Sequence, residues 1–265
     1  MLEFKDLSVQ LGRAQILDNV SARFAPGEVT ALIGPNGTGK STLQKALAAL
    51  IPSGGKVWID GQIQSRAERR DAIAYMPQDT GAAVALSAFE VTLMGRLHAL
   101  GLRVPSELRA EAMRMLSRFG LETLAHRQIG SLSGGQRQMA FLAQVLFRAP
   151  RVLLLDEPTA ALDLRHQLLV LEHVRNDAIA RGTVAIVAMH DLSLAARFAD
   201  RILCLHNGQV AEAGSPQEVL TPQTLANVYG VEAEVTHLSS GGLTIAPLRA
   251  TTTYRQRHSY QADKK

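Results

Sequence analysis

The chain has 265 residues, 46% of them apolar and 5% aromatic, a length that suits one large α/β domain or two small ones. Its 28 Lys and Arg outnumber its 24 Asp and Glu, but five of those cations (Arg249, Arg255, Arg257, Lys264, Lys265) and one anion (Asp263) lie from Arg249 onward, so residues 1–248 carry 23 of each sign. That neutral body excludes a net-basic nucleic-acid-binding domain, although not a local basic patch, and one cysteine, Cys204, excludes a disulfide framework or a multi-cysteine zinc site.

No apolar run approaches the ~20 residues that span a bilayer. Met1–Asp6 has neither the apolar core nor the cleavage pattern of a signal peptide. The expectation is a soluble, cytosolic protein, with any membrane-spanning part supplied by another chain.

Leu2–Val9 and Val20–Phe24 alternate apolar and polar residues, which predicts half-buried antiparallel strands. Val29–Ile33 is continuously apolar, as a strand covered on both faces is. A helix follows from about Lys40 to Leu50, stopped by Pro52. Val57–Ile59 and Ala72–Tyr75 read as short strands. Residues 88–148 are rich in Ala, Leu, Met, Arg and Glu and form a helical insert, broken at Gly101 and Pro105. Leu108, Ala112, Met115, Leu116 and Phe119 set its apolar stripe. Strand–helix alternation then returns, with strands at Val152–Leu155, Val184–Met189 and Arg201–Leu205 and helices at Arg165–Arg181 and Leu192–Phe198. This order implies a parallel sheet with helical crossovers. Asn207-Gly208 signals a hairpin, Ser215-Pro216-Gln217-Glu218 a capping box, and Thr221-Pro222 a short helix ended by Gly230. Residues 207–248 thus read as a C-terminal appendage, and 249–265 as a basic, disordered tail.

Gly34-Pro35-Asn36-Gly37-Thr38-Gly39-Lys40-Ser41 matches the G-x-x-x-x-G-K-[ST] phosphate loop and lies between a predicted strand and a helix that continues with Thr42. The glycines let backbone N–H groups turn toward a phosphate, and the helix N-terminus adds partial positive charge. Lys40 would reach the β- and γ-phosphates, and the Ser41 hydroxyl would ligate Mg²⁺. Such a loop needs a carboxylate on a neighbouring strand. Val152–Leu155 leads into Asp156-Glu157-Pro158, with the acids at the C-terminal strand end where open α/β sheets hold ligands. Asp156 is the expected Mg²⁺ partner, directly or through water. Glu157 is then placed to polarise the attacking water, since adjacent like charges need separate roles.

Leu132-Ser133-Gly134-Gly135-Gln136 opens a second helix with a hydroxyl and free backbone donors. One nucleotide does not need two such cradles from one chain. This stretch resembles the signature of ABC-type ATPases. Gln78 resembles the family's Q-loop glutamine, Ala161-Leu162-Asp163 its D-loop, and His190 its switch histidine. The resemblance covers about residues 1–212 and implies an ABC nucleotide-binding domain: a P-loop NTPase sheet core with an antiparallel β subdomain and a helical subdomain.

It implies a mechanism too. Two copies sandwich two ATP molecules head to tail, Ser133 and Gly135 of one contacting the γ-phosphate held by Lys40 of the other. Gly134, Gln136 and Asp163 belong to that same trans face. His190 orients the γ-phosphate and water, and Gln78 senses Mg²⁺ and connects to a membrane partner. The family often stacks adenine on an aromatic near position 11, whereas this chain has Leu11 and neither Tyr nor Phe within Val9–Gln15. Adenine would then lie on Leu11 or under Arg13, and base selectivity would be loose.

Lys40 and Ser133 stand 93 positions apart, which leaves no room for a long coiled coil. Ala160–Leu171, Gln78-Asp79-Thr80, Glu218–Pro222 and Val228–Glu232 resemble the ATPases of iron-chelate importers, which serve ferric siderophores, haem or vitamin B12. A ferric siderophore is the cargo expected first, ahead of haem and then cobalamin. The implied partners are a second copy, a membrane permease dimer and, indirectly, a periplasmic or surface substrate-binding protein, but no nucleic acid. The implied location is peripheral, on the cytoplasmic side of the plasma membrane. The apolar stretch Thr80–Ser87 would dock the permease. A soluble ABC ATPase acting on nucleic acid is the alternative.

Overall fold

Leu2–Leu11 (β1) pairs antiparallel with Ala14–Phe24 (β2) on one side and with Lys56–Ile59 (β4) on the other, and Gln62–Ile63 (β5) completes a sheet in the order β2-β1-β4-β5. The computed structural model describes residues 1–79, 85–96, 104–160, 162–238 and 242–251. The second sheet is built on Val29–Ile33 (β3), with Ile73–Met76 (β6), Val152–Asp156 (β7), Val184–Ala188 (β8), Arg201–His206 (β9) and Gln209–Gly214 (β10) in the order β10-β9-β3-β8-β7-β6. Only β10 runs antiparallel to its neighbour, after the Asn207-Gly208 turn.

Central strands read as unbroken apolar runs because both faces are covered. Leu32, Leu154 and Ile186 pack toward the antiparallel sheet and Lys40–Leu47 (α1). Ala31, Ile33, Leu153, Leu155 and Val187 pack on the opposite side, toward Leu164–Arg181 (α6) and Leu192–Phe198 (α7). The same cluster takes in the helical arm of Ala88–Met94 (α3), Ser106–Arg118 (α4) and Gly134–Phe147 (α5). The stripe Leu108, Ala112, Met115, Leu116 and Phe119 is buried, as its spacing predicts. Gly101, expected as a breaker, lies outside the described residues. No helix among the described residues is long and apolar enough to cross a membrane.

Three features differ from expectation. The helix of the phosphate loop ends at Leu47 rather than Leu50, because Ala49 turns to φ 56°. Arg66–Ala72 forms a short helix (α2), started by a Ser65/Glu68 capping box. After Pro216–Val219 (α8) and Pro222–Thr224 (α9) comes a hairpin of Val231–His237 (β11) and Leu243–Ala250 (β12), whose second strand packs on α7. The boundary expected at 248 therefore falls inside β12. Arg249 is not a tail residue: its guanidinium makes a two-pronged ion pair with Glu232 at 2.8 and 3.0 Å. Cys204 is fully buried in β9 and its thiol is pushed up to about 12 by burial, so it is neither nucleophile nor metal ligand near neutral pH.

Candidate nucleotide site

Residues 34–39 join β3 to α1 in a loop that two glycines make possible. Gly34 has φ 142°, and a Cβ there would stand 2.2 Å from the Leu205 carbonyl oxygen. Gly39 has φ 100°, and a Cβ there would stand 2.6 Å from Leu17 Cδ2. Thr38 Oγ1 donates to the Pro35 carbonyl at 2.9 Å. Lys40 is only 6% exposed, and its Nζ donates to the carbonyls of Gly34 at 2.7 Å and Pro35 at 3.1 Å. Burial lowers the Lys40 pKa, while the nearby carboxylates of Glu157 and Asp156 oppose that shift and favour the cation. Gln44, fully buried on α1, donates to the Leu155 and Ile186 carbonyls at 3.0 and 3.3 Å and locks the helix to β7 and β8.

Asp156 ends β7 and is 2% exposed. Its Oδ2 accepts from the Tyr75 hydroxyl at 3.2 Å, whereas Oδ1 is buried without a partner. A buried carboxylate oxygen left unsatisfied next to a phosphate loop is what a divalent cation would fill. The Asp156 charge acts on Lys40, the residue before Ser41, and a carboxylate oxygen together with the Ser41 hydroxyl is a donor set that fits Mg²⁺. Burial and the adjoining Asp156 push the Tyr75 phenol far above its ordinary value, so it stays a donor.

Glu157 has φ 51°, a left-handed backbone that a non-glycine residue rarely adopts. Its N–H donates to the Ala188 carbonyl at 3.2 Å, and its own carbonyl accepts from Gln138 Nε2 at 3.1 Å. The turn aims its side chain at two others: Gln78 Nε2 donates to Oε2 at 2.6 Å, and His190 Nε2 meets Oε1. Gln78, Glu157 and His190, 112 residues apart at their extremes, thus form one cluster on the cavity that Lys40, Ser41 and Thr42 also line.

That cavity, about 720 Å³, also takes in Asn36, Gly37 and Gly39, and at its far end Leu11 and Ile16. Leu11 is 42% exposed; Arg13 is not on the wall. An aliphatic pair at that end would hold a base by dispersion, without the directional stacking of an aromatic ring. Comparable turnover of ATP and GTP is the expected outcome of steady-state assays. A strong preference for ATP with an unchanged rate in Leu11→Ala contradicts it.

Ser133 caps α5: its Oγ accepts from the Gln136 N–H at 3.3 Å, and Gln136 Oε1 accepts from the Ser133 N–H at 3.1 Å. Ser133, Gly134, Gly135, Gln136 and Asp163 line a second cavity of about 830 Å³, which shares no lining residue with the first. Asp163 caps α6, and hydrogen bonds from His166 hold its pKa low. Ala161 of the expected D-loop lies outside the described residues. The signature and the phosphate loop therefore do not meet within one chain.

Sequence reasoning missed Tyr75, Gln44, Gln138 and Ile16. Gln138 is an amide on the otherwise apolar buried face of its helix, a pattern that marks the residue but not its partner. His173 donates from Nε2 to the Arg118 carbonyl at 2.8 Å. No cluster of three metal-ligating side chains occurs among the described residues. Of the expected docking stretch, residues 80–84 lie outside the described residues, and Leu86 is half-buried against the core.

Fold and site together define a P-loop nucleotide-binding domain. Residues 17–160 match the ABC transporter family, and the chain belongs to it. It is 39% identical over 267 residues to the hemin import ATP-binding protein HmuV of Plesiomonas shigelloides, covering 91% of this chain and 100% of that one. It is also 39% identical over 259 residues to the cobalamin import ATP-binding protein BtuD of Halobacterium salinarum, covering 95% of this chain but only 65% of that protein's length. Among solved structures, a metal-chelate type ABC transporter in an inward-facing conformation superposes with a TM-score of 0.78 at 25% identity, over 94% of this chain and 97% of that one. A dimeric ATP-binding cassette bound to ADP and Pi superposes with a TM-score of 0.73 at 29% identity, over 82% and 99%.

Proposed function

We propose that this chain is the ATP-hydrolysing subunit of an importer for a metal chelate, acting on a separate membrane permease from its cytoplasmic side. The observation that carries the hydrolytic half is the Glu157 carboxylate, held between Gln78 and His190 on the cavity of Lys40. Lys40 and the N–H groups of residues 36–41 bind the triphosphate. Glu157 takes the proton of the attacking water, His190 orients that carboxylate and the γ-phosphate, and Gln78 connects the cluster to the membrane partner. Ser41 and Asp156 would hold Mg²⁺, with Gln78 at hand, and the ion supplies charge neutralisation at the β- and γ-phosphates.

The two separate cavities support a homodimer in which Ser133, Gly134, Gly135, Gln136 and Asp163 of one copy close over the nucleotide of the other. The cargo half rests on relatives named for hemin and cobalamin import. They support haem and cobalamin equally and add nothing to the ferric siderophore, which stays within the proposed range on the motifs alone. Neutrality of residues 1–248 and a permease-type structural neighbour disfavour the nucleic-acid alternative.

Reconstitution with candidate permeases tests this reading. Hydrolysis should rise when a binding protein loaded with a ferric siderophore, haem or cobalamin is added. Stimulation by DNA at physiological salt, and by no chelate, would overturn it.

A further inference from the structure

His173, Asp177 and Arg181 stand at i, i+4 and i+8 on α6 and so share one face of that helix. That face meets the C-terminal ends of two arm helices. His173 Nε2 donates to the carbonyl of Arg118, the last residue of α4, and its ring packs edge-on against Phe119 with centroids 4.8 Å apart. Arg181 donates to the Leu146 carbonyl at 3.3 Å, in the last turn of α5, the helix that Ser133 begins. Both are the cationic or N–H contacts that helix C-termini favour. Between them Asp177, its side chain 3% exposed, pairs with Arg181 at 3.2 Å and lies 3.9 Å from the Arg118 guanidinium. Its Oδ2 is buried without a partner, and burial pushes its pKa up against the pull of Arg181 and Arg118.

A carboxylate placed at such a cost contributes little net stability; the best-attested use of a buried ion pair is to fix register. Arg118 in addition lines the cavity of Ser133 and Gly135. We propose that Asp177 is a positioning residue: by holding Arg118 and Arg181 it sets the angle at which the arm presents Ser133 and Gly135 to the nucleotide of a second copy. This inference rests on the two-copy site of the proposed function. Arg96 ties the arm's helices to one another, through the Phe147 carbonyl and Glu111, so the arm meets this joint as one unit.

Asp177→Asn and Arg118→Gln, alone and combined, test the proposal in the full chain carrying Glu157→Gln. Each single change should weaken ATP-driven self-association by about tenfold, with the Kd for ATP on the dilute monomer unchanged. The double variant should be no worse than the singles, and Arg118→Lys should recover association. A silent Asp177→Asn overturns the proposal, and so does parallel loss of ATP affinity and association. Should Asp177→Asn not fold, Arg118→Gln with its Lys rescue decides. Failure of the parent Glu157→Gln chain to associate counts instead against the two-copy site itself.

Discussion

Glu157→Gln should lower ATP hydrolysis by ~10²–10³-fold, the range of a lost general base, while ATP binding is retained. That fall corresponds to about 3–4 kcal/mol of barrier. The substitution isolates basicity from geometry. An amide keeps one acceptor oxygen for Gln78 Nε2, and its NH₂ can face His190 once the imidazole takes the other tautomer. The strained backbone at φ 51° is untouched, since its N–H and carbonyl bind Ala188 and Gln138 through the main chain. A single-turnover assay with a parallel binding titration checks both parts. Hydrolysis within a few fold of wild type would remove Glu157 from the base role and leave His190 as the candidate.

Gly34→Ala should abolish nucleotide binding, through the backbone alone. The new methyl would stand 2.2 Å from the Leu205 oxygen and 2.9 Å from Thr38 Oγ1. Leu205 is held in β9 between β3 and β10 and cannot retreat. The loop must therefore leave the sheet, and the carbonyl that receives Lys40 Nζ at 2.7 Å moves with it. Overpacking together with backbone strain costs about 2–4 kcal/mol, which lowers Tm by roughly 5–12 °C in a domain of this size. Gly61→Ala is the control: φ is also positive there, at 80°, but a Cβ meets nothing within 4 Å. It should cost only about 1 kcal/mol and leave binding intact. Calorimetric titration and a melting curve decide, and normal ATP affinity in Gly34→Ala would refute the cradle.

The legible parts of this molecule were those whose cause is local. Val29–Ile33 was readable to the residue because both faces of the strand are covered, so apolar side chains run to its ends and only the buried Thr30 interrupts them. The phosphate loop, Asp156 and Glu157 stood out because each sits at the end of an apolar strand or in a glycine turn, whereas Gln78 and His190 were singled out by the family resemblance. Arg66–Ala72 escaped notice because RAERRDA has no apolar stripe, although Ser65 and Glu68 already spelled its capping box. The final hairpin was harder: β11 is largely exposed and its partner begins only at Leu243, so pairing rather than pattern defines it. Tyr75 on Asp156 and Gln138 on Glu157 could not be seen, since a hydrogen bond across 81 residues, in the first case, leaves no trace in spacing. Asp177 was hidden for the same reason, as one of two acids in a helix whose spacing does not show which of them is buried.

On the proposed function one chain holds two half-sites, each completed by a second copy. Sedimentation of Glu157→Gln with ATP, with and without Ser133→Arg, tests it most directly. ATP should double the mass of the parent, and Ser133→Arg should keep ATP affinity yet remain a monomer, because Ser133 lies in the cavity that Lys40 does not reach. Undiminished association in Ser133→Arg, or loss of ATP affinity with it, would contradict the account.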